Sequence, residues 1–276
     1  MKQGNRAIRY DEQLQVEAYS FEGVAQSFPQ HFHAYYVWGY AAQGERLLTC
    51  CGKRLTLAAG EMVLFNSGDG HGCVQNSEAA LHYLALNVPP ETMARLAQEL
   101  TGSEQLPRFA PAVISDREAA YYLRSLHALI MNRAQAFARE EALLLLASLL
   151  LERYGAASCP AAAASDTAVE QACAYMQEHF ARRLTLANIC RAAGLSKSSL
   201  LRSFTRARGV TPYRYLQTVR VSEAQKLLER GETPAAAALL TGFADQSHFT
   251  NTFTNFIGLT PGSYREMFLK AGREHE

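Results

Sequence analysis

The chain has 276 residues, which is enough for two domains of ordinary size, and 48% of them are hydrophobic. This composition, which contains no low-complexity tract, excludes an intrinsically disordered chain. The net charge of +1 is unevenly distributed: residues 167–276 carry fourteen Lys and Arg against nine Asp and Glu, and the remainder has a net charge of −4. A basic C-terminal part joined to an acidic part is typical of a module that binds a polyanion.

The sequence has no features of an export signal or a membrane span. Residues 1–6 are followed by no apolar stretch. The longest apolar run, residues 142–151, is about half as long as a membrane-spanning helix. The six cysteines show no spacing typical of a disulfide framework or a zinc site. We therefore expect a cytoplasmic protein with reduced thiols and no membrane partner.

The N-terminal part is predicted to be rich in strands. Over residues 17–88, short β-branched and aromatic runs alternate with glycine turns, which favours a small barrel or sandwich. Helical apolar spacing follows in three segments, residues 91–100, 116–131 and 139–154. We expect residues 1–154 to form one domain, a β-barrel with accessory helices.

The C-terminal part is predicted to be all helical. Residues 155–166 are small and unpatterned and are expected to form a linker. Over residues 167–276, Ser or Thr often precedes a helix, Pro occupies its first position and Gly follows its end. These signals predict seven helices, which begin at or just after Thr167, Thr185, Ser196, Thr211, Thr233, Asp245 and Thr260. The predicted fold class is therefore α+β.

The C-terminal segment repeats itself with a shift of 49 residues. The repeated positions are Leu200, Phe204, Gly209, Thr211, Pro212 and Tyr215, which fall on Phe249, Phe253, Gly258, Thr260, Pro261 and Tyr264. A helix, a short turn containing glycine and a second helix make a helix-turn-helix, which here occurs twice. The second helix of each pair is expected to lie in the major groove of DNA.

The polar faces of these two recognition helices supply the candidate DNA contacts. They are Lys197, Ser198, Arg202, Thr205 and Arg206 in the first copy, and Gln246, Ser247, Thr250, Asn251 and Thr254 in the second. Arginine can pair with guanine, and Asn or Gln with adenine. We expect Arg206, Arg208 and Arg214 to contact phosphates, which position the protein without specifying the sequence.

Residues 184–265 resemble the AraC/XylS family of transcription regulators. The match is strongest over residues 242–249 and 258–265, and residues 193–204 of the first copy also match. The resemblance implies two subdomains that are joined by a long helix and that read successive segments of the major groove. It places Arg202 at a DNA contact. Asn251 stands where arginine is common, so we expect the second helix to add less electrostatic affinity than the first.

Three histidines mark a second candidate site. His31 and His33 are two residues apart on a strand-like run, so that both imidazoles point the same way, and His71 follows a glycine-rich turn. This pattern resembles the two cupin motifs, although Asn66 replaces a proline and the usual acidic ligand is missing. A cupin-like barrel is often the sensor of an AraC-type regulator. The predicted effector contacts are His31, His33, Tyr35, Trp38, His71 and Cys73.

The residues leave three roles open for these histidines. They could bind zinc, iron or nickel, with Cys73 as a softer ligand. They could hydrogen-bond an organic effector between walls formed by Tyr35, Tyr36 and Trp38, or they could be structural. We favour the effector role, and we predict no cofactor and no enzymatic activity. The alternatives are a metal-dependent cupin enzyme and a metal or thiol sensor.

Together these patterns predict a sequence-specific transcription regulator. We expect a ligand-responsive activator that binds double-stranded DNA and a small-molecule effector, forms a homodimer and contacts RNA polymerase. The helices predicted at 116–131 and 139–154 are the expected dimer surface, and the other interpretation is that they only cover the barrel. A constitutive DNA-binding protein, whose barrel serves only for dimerisation, is a further alternative.

Overall fold

The computed structural model describes residues 5–76, 79–103, 105–156 and 167–273, and the chain divides into two compact units. The first unit comprises Met1–Ser27, Ala34–Asp69 and Cys73–Pro160. The second comprises Phe28–His33, Gly70–Gly72 and Ala161–Glu276. Two short segments from the β-rich part of the sequence thus belong with the C-terminal helices. From residue 157 onward, the predicted linker lies outside the described residues.

The N-terminal part is rich in strands, as predicted. The described strands are β1 (Asn5–Asp11), β2 (Val16–Val24), β3 (Phe28–His31), β4 (Tyr36–Gln43), β5 (Arg46–Cys50), β6 (Lys53–Leu57), β7 (Met62–Phe65), β8 (His71–Gln75), β9 (Leu81–Val88), β10 (Arg108–Phe109), β11 (Val113–Ile114) and β12 (Gly155–Ala156). One sheet has six strands in the order β1-β2-β9-β4-β7-β11, a second has the order β3-β8-β5-β6, and β10 pairs with β12. The strands of the larger sheet pair antiparallel.

The two faces of the larger sheet enter different cores, because successive residues of a strand point in opposite directions. On β4, Trp38 belongs to a core that the sheet shares with helices. Its neighbour Val37 belongs to an inner core that also contains Leu48 and Cys50 of β5 in the smaller sheet. The first unit is therefore a pair of sheets with an apolar interior, and helices cover one face of the larger sheet.

Three helices of the first unit confirm the predicted segments: α1 (Pro90–Thr101), α2 (Arg117–Met131) and α3 (Ala136–Tyr154). Asp116 caps α2 by accepting hydrogen bonds from the backbone N–H groups of Glu118 and Ala119. The Arg153 side chain of α3 also donates to Asp116, over 2.9 Å. This carboxylate therefore ties the start of one helix to the end of the next.

The second unit contains the seven helices that the sequence predicts. They are α4 (Thr167–Glu178), α5 (Leu186–Ala193), α6 (Lys197–Arg208), α7 (Pro212–Glu229), α8 (Pro234–Leu240), α9 (Gln246–Ile257) and α10 (Pro261–Arg273). The predicted caps are present, for example at Ser196 of α6 and Thr211 of α7, whose side chains each accept a backbone N–H. Gly209 and Gly258, with φ of 68° and 81°, end α6 and α9 in the left-handed conformation that glycine favours.

The sequence repeat becomes a repeat of aromatic packing. The Phe204 and Tyr215 rings meet at 5.3 Å, and the rings of Phe253 and Tyr264 meet at 5.5 Å in the same T-shaped arrangement. All four side chains are buried. Each pair joins a predicted recognition helix, α6 or α9, to the helix that follows it.

None of the helices within the described residues is both long enough and apolar enough to span a bilayer.

Asn66, which stands where the cupin motif has proline, has a structural role. Its Nδ2 donates to the Phe109 carbonyl over 3.0 Å and to Asp69 Oδ2 over 2.8 Å. Its Oδ1 accepts the Phe109 N–H over 2.7 Å. The buried amide thus satisfies both backbone groups of a residue in the two-residue strand β10.

We predict that Asn66→Ala lowers the free energy of unfolding by about 2–3 kcal/mol, because the buried backbone groups of Phe109 lose their partners. Trp38, the single tryptophan, lies in the first unit, so its fluorescence during urea unfolding reports on that unit. The control is Asn76→Ala, which removes an exposed side chain that donates to Glu45. It should cost less than about 0.5 kcal/mol. Equal losses in both variants would contradict this role for Asn66.

Candidate DNA interface and ligand sites

Helix α6 presents its polar residues to solvent. Leu200 and Phe204 are fully buried, which fixes the rotation of the helix about its axis. The opposite face holds the five predicted DNA contacts, all of which are exposed: Lys197, Ser198, Arg202, Thr205 and Arg206. The helix contains no acidic residue. Its exposed face is therefore cationic and rich in hydrogen-bond donors.

Helix α9 is anchored in the same way but is uncharged. Phe249 and Phe253 are fully buried. Among the predicted contacts, Gln246, Ser247 and Asn251 are exposed, and the other two, Thr250 and Thr254, are half-buried. The helix contains no Lys, Arg, Asp or Glu. It can offer hydrogen bonds to bases but no charge to phosphates.

Two of the three arginines predicted to contact phosphates have partners inside the second unit. Arg208 forms an ion pair with Glu170 at 2.5 Å. The Arg214 guanidinium lies 5.1 Å from the centre of the Phe256 ring, a cation–π arrangement. Arg206 is exposed, and no hydrogen bond or ion pair involves its side chain among the described residues. Arg206 is therefore the member of the predicted set that extends freely to solvent.

The three predicted histidines come together in the second unit. The ring centroids of His31 and His71 are 4.6 Å apart, and those of His33 lie 4.7 and 5.0 Å from them. One ring nitrogen of each histidine lies within 4.8 Å of the others. The His31 ring also meets Phe256 of α9, with centroids 5.7 Å apart.

His31 and His33 are neutral at physiological pH. Burial, together with the neighbouring His71, lowers the pKa of His31 to about 3. Burial and the other two imidazoles also hold the pKa of His33 well below its usual value. A neutral imidazole is the form that binds a transition metal or exchanges hydrogen bonds with a ligand.

The other predicted effector contacts occupy different places in the first unit. Tyr35 and Cys73 pack against the inner core. Trp38 is fully buried on the opposite face of the larger sheet, under the helices, so a ligand within the inner core does not reach it. Tyr36 lines a surface cavity of about 430 Å³ together with Arg108.

The comparisons with known proteins cover both parts of the chain. A helix-turn-helix domain family matches residues 189–267, and an AraC-like ligand binding domain family matches residues 13–150. The uncharacterized HTH-type transcriptional regulator YbfI of Bacillus subtilis (strain 168) is 39% identical over 249 residues, which are 90% of this chain and 90% of that protein.

The chain belongs to the AraC family of transcription regulators. The predicted family and the predicted combination of a ligand-binding domain with a DNA-binding domain are confirmed. RhaS of Citrobacter koseri, an HTH-type transcriptional activator, is 25% identical over 87% of this chain and 88% of its own. Wild-type ToxT of Vibrio cholerae, in a crystal structure with an unsaturated fatty acid, has a similar fold: the TM-score is 0.58 and the identity 16%, over 97% of this chain and 98% of that one.

The strand-rich part of this AraC-family protein matches the ligand-binding family, and it contains a buried residue, Arg46, that the sequence analysis does not predict as a site residue. Arg46, Leu48 and Cys50 occupy every second position of β5, so they share one face of the strand, and all three are buried. An arginine in phase with inward apolar residues is a signal in the sequence. Its importance depends on which groups surround it, and the sequence does not specify them.

The pKa shifts predict that this AraC-family protein loses stability in acid. The unfolded imidazoles of His31 and His33 take up protons below pH about 6.5, whereas the folded ones resist protonation. The free energy of unfolding should therefore fall as the pH drops below about 6.5, by about 1 kcal/mol per pH unit for each histidine. For His31 the fall should continue to about pH 3, the pKa of the folded state. Thermal melting followed by circular dichroism, with a chelator present, measures the effect.

The matched variants are His31→Asn and His82→Asn, the second of which replaces a half-exposed imidazole on β9. We expect the first to reduce the loss of melting temperature between pH 7.5 and pH 5 and the second to leave that loss as in the parent. An unchanged pH dependence in His31→Asn would contradict the assignment of the acid sensitivity to this cluster.

Proposed function

We propose that this regulator contacts double-stranded DNA through the exposed faces of α6 and α9, and that a small molecule bound by its N-terminal domain controls this binding. One observation carries the proposal: each helix is anchored by its own buried Phe–Tyr pair, and a polar face of each helix remains in solvent. Helix α6 supplies most of the electrostatic affinity, through Lys197, Arg202 and Arg206. Helix α9 adds discrimination through Gln246 and Asn251.

The effector-binding domain comprises residues 1–154 in this proposal, residues 155–166 form the linker, and residues 167–276 bind DNA. The regulator acts by binding and not by catalysis, and it works in the cytoplasm, where bacterial DNA is located. We propose activation, with RNA polymerase as a partner. The name of the relative RhaS, a transcriptional activator, supports this sign of regulation. The fatty acid in the ToxT crystal supports an organic effector for the fold.

A homodimer through α2 and α3 is part of the proposal. Phe137 and Leu145 of α3 are 74% and 46% exposed, and Tyr121 of α2 is 64% exposed. Phe137 and Leu145 are eight residues apart and therefore lie on one face of their helix. Large apolar side chains exposed on neighbouring helices are what a second copy would cover.

The DNA contacts are tested with two arginines of α6. We predict that Arg206→Ala weakens binding to all sequences about equally and reduces the salt dependence by about one unit, because one phosphate contact is lost. Arg202→Ala should weaken binding and, by loss of a base contact worth about 1–3 kcal/mol, relax the preference at one position. Fluorescence anisotropy on a selected site and a scrambled duplex, at several salt concentrations, measures both effects.

The matched control is Arg54→Ala, which removes an exposed arginine from strand β6 of the first unit. It should bind both duplexes like the parent protein. If Arg202→Ala and Arg206→Ala also bind like the parent at every salt concentration, the exposed face of α6 is not the DNA contact.

A second candidate role, a metal-responsive regulator, is favoured by the cluster of three histidines. A tetrahedral zinc site holds its nitrogens about 3.3 Å apart, since each Zn–N bond is about 2.0–2.1 Å. The ring nitrogens here lie within 4.8 Å of one another, so small rotations of the side chains would bring them to one ion. The residues therefore fit zinc, iron or nickel, held by His31, His33 and His71.

Elemental analysis tests this second role. If it holds, protein purified without chelator retains one equivalent of metal, and His71→Asn loses it because two imidazoles bind far more weakly than three. The matched control, His82→Asn, should retain the metal. Parent protein without stoichiometric metal, which also fails to take up zinc or nickel on dialysis, would remove this candidate and leave the DNA proposal unaffected.

A further inference from the structure

Arg46 is a buried cation inside the first unit. Its side chain shares one face of β5 with Leu48 and Cys50, which belong to the inner core. Only 1% of the residue is exposed. Its Nη2 donates a hydrogen bond to the Val24 carbonyl. Its Nε and Nη1 are buried and have no hydrogen-bond partner among the described residues.

Such an arrangement is costly for a structural residue. The guanidinium keeps its charge at physiological pH, and a buried charge without a counter-charge destabilises a fold by several kcal/mol. Among the described residues, Arg46 forms no ion pair with a carboxylate. The charge is therefore balanced by something other than these side chains, and it lies in the domain that matches a ligand-binding family.

Cys73 and three aromatic residues, Tyr19, Phe21 and Tyr83, belong to or pack against the inner core that contains Leu48 and Cys50, the neighbours of Arg46 on its face of β5. Burial lowers the pKa of Arg46, and a Coulombic interaction with the Cys73 sulfur opposes that shift. Burial is also the main cause that raises the pKa of Tyr19 and of Tyr83, and the same sulfur makes a smaller Coulombic contribution to each.

Three rings form a cluster in this part of the unit. Tyr19 lies 5.2 Å from Phe21 and 6.0 Å from Tyr83, measured between ring centroids. Gly39 makes room for the third ring, because a Cβ at that position would lie 1.7 Å from the Tyr83 hydroxyl. Apolar ring faces, buried hydroxyl groups and a buried cation in one interior are typical of a small-molecule site.

We propose that Arg46 anchors the carboxylate of a small-molecule effector, whose apolar body contacts the Tyr19, Phe21 and Tyr83 rings. Nη1 has no protein partner among the described residues, and Nη2 uses one of its two hydrogens on the Val24 carbonyl. The Nη1 and Nη2 edge can therefore donate to the two oxygens of a carboxylate, and Nε keeps one further N–H donor. The Arg46 charge balances one carboxylate, and a second guanidinium, that of Arg6, lies 4.9 Å from the centre of the Phe21 ring. Inorganic phosphate has no apolar body that could contact the rings. This inference rests on the proposed function, because it names the class of ligand to which the regulator responds.

The test uses the full chain and a graded series of carboxylates, from acetate to palmitate with phenylacetate and naphthoate added. Each acid is paired with its neutral amide, and inorganic phosphate is included. We expect at least one carboxylate to raise the melting temperature in a saturable way, and its amide and phosphate to have no comparable effect.

Arg46→Met should weaken binding of that carboxylate, measured by calorimetry, by about tenfold or more, because charged hydrogen bonds are lost. Arg54→Met, the exposed control on β6, should bind it like the parent.

A second measurement separates a ligand anchor from a structural arginine. Without ligand, Arg46→Met should melt no lower than the parent, because the change replaces an unbalanced buried charge by an apolar side chain of similar length. A clearly lower melting temperature would overturn the proposal, as would carboxylates that bind Arg46→Met unchanged or act no differently from their amides. DNA binding of the ligand-free parent is measured alongside, so that failure of the regulator proposal is recognised separately.

Discussion

Two buried aromatic pairs fix the orientation of helices α6 and α9 in the C-terminal part of this regulator. Phe204 with Tyr215, and Phe253 with Tyr264, attach each recognition helix to the helix that follows it. The Tyr215 and Tyr264 hydroxyls each accept a hydrogen bond over 3.1 Å from a glutamine, so that the buried polar ends of both rings are satisfied. Because an anchored helix cannot turn about its own axis, the side chains opposite the anchor remain in solvent. The polar face that DNA recognition requires therefore follows from apolar packing on the other side.

Two buried polar side chains of the first unit, Asn66 and Arg46, differ in whether they have hydrogen-bond partners. Asn66 is buried and uses both ends of its amide, and its partners belong to the same unit. Arg46 is also buried, but within the described part of the chain two of its nitrogens have no hydrogen-bond partner. The free energy of folding favours the first arrangement and opposes the second. This contrast distinguishes a residue that stabilises the fold from one whose partner comes from outside the chain.

The C-terminal helices could be predicted almost residue by residue, because their start and stop signals are local. A cap such as Ser196 bonds to a backbone group three residues away, and a glycine such as Gly209 adopts a left-handed conformation by itself. Predictions that depended on distant partners were less complete. Arg208 carries the charge that a phosphate contact needs, and its guanidinium forms an ion pair with Glu170, which lies 38 residues earlier in the chain. Trp38 remains a predicted effector contact, and the pleat of β4 directs its side chain to the core shared with the helices.

By itself, the sequence determined the fold class, the doubled helix-turn-helix and the family, because these depend on periodicity, caps and motifs that extend over a few residues. Only the tertiary structure decided which polar side chains are free and which are paired. It grouped His31, His33 and His71 with the C-terminal helices. It also left two nitrogens of the buried Arg46 guanidinium without a hydrogen-bond partner among the described residues. The physical reason is that burial and pairing are properties of contacts between distant segments, and those contacts form only when the chain folds.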